Sequence, residues 1–260
     1  MLKRFLCVLC VAMLLSIFLG VRAFAALPGD IVLYFSFNDG SGNEVKDFSK
    51  YGNNGEITGT PKWVKGQNDG ALDLDGKTTV ILVPLSDSLG KLKAPMTVGA
   101  ILNVVEYPVD WQNLASMDAT AANRDNGWKC GFHNQNPTLT RWPDTDYDAT
   151  SITLKTGEWH YLVFVFDVED AKFYVDGELA QHMPAAALNN IDVSKSPHLD
   201  IGAESGRPAN YYSHLILDEL WISNKAASTD EIKSLSNPAS ILSVNSGDKA
   251  TTTWGKLKGE

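Results

Sequence analysis

The chain has 260 residues, of which 31 are acidic and 22 are basic, so its formal net charge at pH 7 is −9. Proteins that bind nucleic acid or anionic lipid need a basic surface, and this charge argues against both partners. The length allows one large domain or two small ones with a sizeable core.

Residues 1–25 have the pattern of a secretory signal peptide. Lys3 and Arg4 precede a long apolar run, and Ala-Phe-Ala at 23–25 gives a cleavage motif. The alternative is an uncleaved membrane anchor, but the run is slightly shorter than the ~18 residues that indicate a spanning helix. We therefore predict a mature chain that has no membrane span. It is secreted to the extracellular space or cell surface, or retained in the periplasm.

Cysteine usage excludes a disulfide scaffold. Once residues 1–25 are removed, Cys130 is the only cysteine left, so no intrachain disulfide can form. Cys130 lies in a segment that favours a strand, residues 128–132. A buried, unreactive thiol is favoured there over a reactive one.

From residue 31 onward the chain is a series of short strands separated by Gly, Asn and Asp. The tight turn Asp176-Gly177 between two apolar runs predicts a type I′ hairpin. This density of strands predicts an all-β fold, an antiparallel β-sandwich of the jelly-roll type. Strands are predicted at 31–37, 71–75, 79–83, 96–105, 128–132, 159–166, 172–175, 178–182, 198–203 and 214–223, with weaker signals at 138–142 and 152–154.

One short C-terminal helix is predicted at 229–235. Ser228 and Glu231 have the spacing of a capping box, in which each side chain accepts a hydrogen bond from the other residue's backbone N–H. Beyond the helix, residues 237–260 are rich in Ser, Thr, Lys and Gly. We interpret 26–236 as one domain and 237–260 as a tail.

Four motifs in order resemble the laminin-G-like, concanavalin A-like domains of bacterial secreted proteins, and the match covers residues 31–235. They are YFSFNDGSGNEVKDFSKYGNNGEITG, GALDLDGKTTVILVP, GEWHYLVFVFDVEDAKFYVDGELA and LDELWISNKAASTDEIKSL. The resemblance implies a jelly-roll fold and a binding function. It also assigns Trp63, Trp159 and Trp221 to the core.

The resemblance further implies a structural calcium ion. The matching positions are Asp47 and Asn53 in the first loop and Asp218 in the last strand. Calcium takes ~6–8 oxygen ligands, which Asp side chains and the carbonyls of an Asn- and Gly-rich loop can provide. The alternative is that Asp47 and Asn53 form Asx turns and that Asp218 satisfies a strand edge.

Sugar-binding members of the family stack their ligand on aromatic side chains. The aromatic residues in the middle of the chain are the candidates for this role, although any one of them can instead belong to the core. Arg141 is a candidate for fixing sugar hydroxyl groups, together with Asn126, Asp144 and Asp146. The predicted ligand-binding residues are Trp111, Trp128, Trp142, Tyr147, Tyr211, Tyr212 and Arg141.

No catalytic motif is apparent. Asp167-Val168-Glu169-Asp170 is the nearest pattern to the paired carboxylates of glycosidases, and it falls at a predicted turn. The first hypothesis is therefore a non-catalytic module that binds a polysaccharide or glycan, with calcium as a structural cofactor. The alternatives are a structural or adhesive domain that binds an extracellular protein, and a polysaccharide hydrolase or lyase.

Overall fold

The computed structural model describes residues 29–118, 126–143, 145–204 and 211–237. The predicted signal peptide lies outside the described residues, as does the tail from residue 238. Two antiparallel sheets pack face to face, and one short helix lies near the C-terminus. The prediction of an antiparallel β-sandwich with one C-terminal helix is confirmed.

Sheet A has eight strands in the order β14-β13-β12-β7-β16-β5-β4, and β1 pairs with the C-terminal half of β16. Its strands are β1 (Ile31–Phe35), β4 (Lys62–Lys65), β5 (Gly70–Asp75), β7 (Met96–Glu106), β12 (Trp159–Phe166), β13 (Asp170–Val175), β14 (Glu178–Pro184) and β16 (His214–Ser223).

Sheet B also has eight strands, in the order β11-β10-β9-β8-β15-β6-β3-β2. Its strands are β2 (Glu44–Val45), β3 (Gly55–Thr58), β6 (Val80–Pro84), β8 (Trp111–Met117), β9 (Trp128–His133), β10 (Asn136–Arg141), β11 (Thr145–Asp148) and β15 (His198–Ile201). The helix α1 spans Thr229–Leu235. Two short 3-10 helices span Leu89–Lys91 and Ala186–Asn190.

The inner core fills the space between the two sheets. Alternate residues of each strand point into it because successive side chains of a strand face opposite sides of the sheet. Trp128 of β9 and Phe166 of β12 meet there edge to face, with their ring centroids 5.5 Å apart. The thiol of Cys130 is also buried in this core. Burial raises the pKa of that thiol, so it is held in the neutral, unreactive form.

The tight turn and the helix cap that the sequence predicts are present, but one of the weaker strands is not. Asp176 and Gly177 both have positive φ, 53° and 85°, as a type I′ turn requires, and they join β13 to β14. The side chain of Ser228 accepts from the N–H of Glu231, and the Glu231 side chain accepts from the N–H of Ser228, so the capping box is present. The segment 152–154 is not a strand, and Ile152 instead closes a turn on Ala149.

The outer face of sheet A is covered by a second apolar cluster, which we call the helix-side layer. Ile232 and Leu235 of α1 pack there against Tyr34 and Trp221. The indole of Trp221 lies directly over Gly99, where an added Cβ would come within 2.4 Å of the ring. Trp221 is buried as predicted. Trp63 and Trp159 are only partly buried: Trp63 packs against the inner core, and Trp159 packs against the helix-side layer.

Candidate functional site

The outer face of sheet B carries buried polar side chains instead of an apolar layer. Lys129 lies between Trp128 and Cys130, which both belong to the inner core, so its side chain points to the opposite face. Ser116 and Thr140 flank Lys129 on the neighbouring strands β8 and β10. We call this surface the polar face, and its buried members are Asn113, Ser116, Lys129, Thr138, Thr140, Asp200 and Glu204.

Some buried polar groups of the polar face make hydrogen bonds to residues that follow β15 in the chain. The side-chain amide of Asn113 donates to the carbonyl of Ala203 and to the hydroxyl of Ser116. The hydroxyl of Ser213 donates to the carbonyl of Asn113 over 2.8 Å, and the N–H of Asn113 donates to the carbonyl of Tyr211 over 3.0 Å. These bonds hold Tyr211 beside strand β8.

A pocket of about 160 Å³ opens on the polar face. Its apolar walls are formed by Trp111, Trp142, Pro143 and Tyr211. Its polar groups come from Lys129, Thr140, Asp146 and Glu204. Aromatic walls with a few converging polar groups are typical of small-ligand sites.

Lys129 and Glu204, which both line this pocket, form an ion pair. The Lys129 Nζ lies 3.7 Å from Oε2 of Glu204, and the two side chains are only 3% and 2% exposed. The same Nζ lies 4.9 Å from the ring centroid of Trp111 and 4.8 Å from that of Tyr211. The ammonium group is therefore held between two aromatic rings as well as by a carboxylate.

Trp111 is oriented from its other side by His133. The two rings stack with their centroids 3.7 Å apart and their planes 11° apart. The Nδ1 of His133 lies 2.7 Å from Oδ2 of Asp148, which fixes the imidazole. Because the imidazole fills one side of the indole, Lys129 lies over the other, and Trp111 presents mainly its edge to the pocket.

Three of the predicted ligand-binding residues come together in this pocket: Trp111, Trp142 and Tyr211. Two others do not. Trp128 is fully buried and Tyr147 is 8% exposed, and both belong to the inner core, so the assignment of these two as ligand-binding residues is corrected. The reason is strand alternation, which turns both rings away from the polar face.

Arg141 and Tyr212 are half-buried and are not among the described residues that line the pocket. Arg141 donates from Nη2 to Oδ1 of Asn126 over 3.1 Å. Of the residues proposed to fix hydroxyl groups, Asp146 lines the pocket and accepts from the Thr140 hydroxyl over 2.7 Å, whereas Asp144 lies outside the described residues.

The sequence reasoning missed Lys129, Thr140 and Glu204. Lys129 carried a signal, since it is a polar residue between two apolar residues of a strand, and Thr140 alternates with Leu139 in the same way. Glu204 carried none, because it lies three residues beyond the end of β15 and reaches the pocket only through the path of the chain.

The predicted calcium ligands Asp47 and Asn53 lie in one loop and are hydrogen-bonded to each other. Oδ1 of Asp47 accepts from the N–H groups of Tyr34 and Ser49, and Oδ2 accepts from the N–H of Asn53 and the hydroxyl of Ser49. The Asn53 side chain donates to the carbonyl of Val32. Four donors aimed at one carboxylate leave it poorly suited to a cation, so Asp47 does not fit the calcium site.

Asp218 has a separate set of contacts, with the turn that precedes β5. It is fully buried, and its Oδ2 accepts from the N–H of Asn68 over 2.6 Å. Burial raises the pKa of Asp218 to about 6 and that of the neighbouring Glu219 to about 8. Among the described residues, no cluster of three or more His, Cys, Asp or Glu side chains can hold a metal ion.

The family of this chain is shown by a comparison with known protein families. A model of the concanavalin A-like lectin/glucanase superfamily matches residues 75–233, more than half of the chain. The chain belongs to this superfamily. No protein with a curated function matches it in sequence.

Solved structures of similar fold match this chain at low sequence identity. Domain 4 of AbnA, a GH43 extracellular arabinanase from Geobacillus stearothermophilus solved with arabinotriose, has a TM-score of 0.62 and 20% identity, over 80% of this chain and 98% of that one. The binding domain of Paraclostridial mosquitocidal protein 1 has a TM-score of 0.63 and 17% identity, over 81% of this chain.

A third similar structure is the binding domain of botulinum neurotoxin DC in complex with rat synaptotagmin II. Its TM-score is 0.59 at 12% identity, over 80% of this chain and 51% of that one. This chain likewise spans about half of the mosquitocidal-protein structure, 52%. At these identities the likeness extends to the fold and not to the ligand.

No α-helix in the described part of the chain is long or apolar enough to cross a membrane.

Proposed function

We propose that this chain is a secreted, non-catalytic binding module of the concanavalin A-like superfamily, and that it binds a carbohydrate in the pocket of the polar face. The observation that carries the proposal is the pocket itself. Aromatic walls and converging donors and acceptors meet there on a sheet face that is polar although it is buried.

The chemistry of the pocket suits a sugar. Sugars present apolar C–H groups that pack against aromatic side chains, and hydroxyl groups that both donate and accept hydrogen bonds. Pro143 and Tyr211 provide apolar contact area, whereas Trp142 is only 2% exposed. Lys129 provides donors, and Asp146 and Glu204 provide acceptors. The structural likeness to a domain solved with arabinotriose supports the same class of ligand.

The test is a thermal melt of the domain with a panel of soluble glycans that includes arabinotriose. A ligand that binds only the native state stabilises it by RT ln(1 + [L]/Kd), about 2.7 kcal/mol at a hundredfold excess over Kd. We expect at least one glycan to raise Tm. The shift should be lost in Tyr211→Ala, which removes a pocket wall.

Tyr51→Ala is the matched control, because Tyr51 is an exposed aromatic residue that does not line the pocket. It should keep the full shift. A panel that gives no shift with the wild-type chain would overturn the proposal, and so would a shift that survives Tyr211→Ala.

A hydrolase is the second candidate, because two carboxylates, Asp146 and Glu204, line one pocket. Paired carboxylates are what glycoside hydrolysis requires. This candidate predicts release of reducing ends from a glycan that binds, and loss of that release in Asp146→Asn. The Asp167–Asp170 segment plays no part in it, since it forms the turn between β12 and β13, where Asp167 pairs with Lys172 over 2.7 Å.

A module that binds an extracellular protein is the remaining candidate, and it would be favoured by capture of a protein while no glycan shifts Tm. Calcium stays a separate proposal, with Asp218 and the backbone carbonyl of Asn53 as the remaining predicted ligands. Binding there should raise Tm in calcium, and the increase should be absent in Asp218→Asn.

A further inference from the structure

We propose that the pocket takes a single terminal sugar unit, and that Lys129 and Glu204 recognise two adjacent hydroxyl groups of that unit. This inference rests on the proposed carbohydrate function. It names the part of the glycan that is bound and the two side chains that select it.

The size of the pocket limits what can enter. Its volume is about 160 Å³, whereas pockets that enclose a drug-sized ligand measure ~300–1,000 Å³. This is room for one sugar ring and not for a stretch of chain that continues on both sides.

The aromatic faces cannot provide the main recognition in this arrangement. His133 and Lys129 cover the two faces of Trp111, and Lys129 also lies over the ring of Tyr211. A sugar in the pocket therefore meets the edge of Trp111, and Lys129 already covers one face of Tyr211. The polar groups of the pocket are then the main source of selectivity.

Lys129 and Glu204 offer complementary polar groups side by side. An ammonium group only donates hydrogen bonds, and a carboxylate only accepts them. Their atoms Nζ and Oε2 are 3.7 Å apart at the pocket wall. Two hydroxyl groups on neighbouring carbons match this pair, because one can accept from Lys129 while the other donates to Glu204. Hydrogen bonds to charged groups are stronger than neutral ones.

Burying the ion pair of Lys129 and Glu204 brings little net stability by itself. Removing two charges from water costs about as much as their attraction returns, and an apolar pair of similar volume is often as stable. An ion pair that is 2–3% exposed yet lines a pocket therefore fits a role in recognition.

The test uses the full-length mature chain and the glycan from the panel that raises Tm most. Its affinity is compared with that of a derivative in which two adjacent hydroxyl groups of the terminal unit are O-methylated. We expect the derivative to bind roughly tenfold more weakly or worse. Oligosaccharides of increasing length should keep a similar affinity per molecule, because only the terminal unit is held.

Glu204→Gln should weaken binding of the unmodified glycan by a similar factor, and should reduce the difference between the two glycans. Asp200→Asn is the matched control, since Asp200 is a buried acid of the polar face that does not line the pocket. Because a lone Lys129 charge could unfold the variant, the double change K129M/E204Q provides a charge-neutral pair, with near-native Tm as the check on folding.

The proposal is overturned if Glu204→Gln and K129M/E204Q bind as the wild type does, if O-methylation has no effect, or if affinity rises steadily with chain length. In those cases glycan binding at the pocket still stands. If no glycan binds the wild-type chain, the proposed function fails, and this inference fails with it.

Discussion

The outer faces of sheets A and B are both largely buried, but they are covered in different ways. Sheet A packs Tyr34 and Trp221 against the apolar side of α1. Sheet B carries Lys129 and Thr140, which meet Glu204 and Tyr211 around a pocket. An apolar layer stabilises by removing area from water, at ~25 cal/mol per Å². Buried polar side chains add little to the free energy of unfolding, so their presence on sheet B points to a role in ligand recognition.

Substitution of one tryptophan on each face is expected to give the largest effects and to distinguish the stabilising role of one face from the binding role of the other. Trp221→Ala leaves a cavity over Gly99 and should lower the free energy of unfolding by about 3–5 kcal/mol. Trp111→Ala, at a half-buried position on the pocket, should cost less than half as much and should abolish the glycan-induced rise in Tm. Urea unfolding of both variants gives the free energies. Equal destabilisation by the two changes would contradict the division of roles.

The loop beside β1 gives the next largest expected effect. Asp47→Ala removes the acceptor of three backbone N–H groups and one hydroxyl, and should cost about 2–4 kcal/mol. The loss should be the same in EDTA and in calcium, because these donors rather than a cation occupy the carboxylate. A loss that appears only in calcium would restore Asp47 as a metal ligand.

The turn that links β5 of sheet A to β6 of sheet B tests the effect of pH on stability. Burial opposes ionisation of Asp75, but hydrogen bonds from the hydroxyl and N–H of Thr78 and from the N–H groups of Thr79 and Lys77 outweigh it and hold the pKa of Asp75 well below its usual range. A depressed carboxyl pKa stabilises the fold above the unfolded-state value of ~3.9, and this contribution is lost as pH falls.

Asp75→Asn should therefore cost about 1–2 kcal/mol at pH 7, and the gap to the wild type should narrow below about pH 4. Asp87→Asn, a change at an exposed acid, is the control and should be nearly neutral throughout. Unfolding measured from pH 7 to pH 2.5 checks the result. A gap that stays constant or widens at low pH would refute the hydrogen-bonded role of the carboxylate.

The smallest effect is expected at the helix that covers sheet A. Ser228→Ala removes the N-cap of α1 and should cost about 1 kcal/mol, whereas Ser228→Thr, which keeps the hydroxyl, should be close to neutral. Neither change should alter glycan binding, because the helix and the pocket lie on different sheets. Altered binding in Ser228→Ala with native-like Tm would show that the two faces are coupled.

Much of the fold could be read from the sequence because its signals are local. The alternation in β12 and β13, the Asp176-Gly177 turn and the Ser228–Glu231 capping box depend on neighbouring residues alone. The short strands β2, β3, β4 and β11 were missed because two to four residues carry too little pattern to stand out. The seven-residue strand β8 was also missed, because Gln, Asn and Ser interrupt its apolar pattern.

The candidate site was only partly predictable. Residue type could nominate Trp111, Trp142 and Tyr211, but it nominated Trp128 and Tyr147 as well, because an aromatic residue serves a core and a sugar site equally well. The two sets differ in the direction that each side chain takes from its strand, and the residue type does not encode that direction.

The class of fold, the positions of most strands and the helix cap follow from the sequence alone, since hydrophobic alternation, turn chemistry and capping act within a few residues. The tertiary structure was needed to choose between the two roles considered for Asp47, to place Trp128 in the core, and to bring Lys129 and Glu204 together in one pocket. Those contacts join residues far apart in the chain, and their geometry depends on how the two sheets twist and pack.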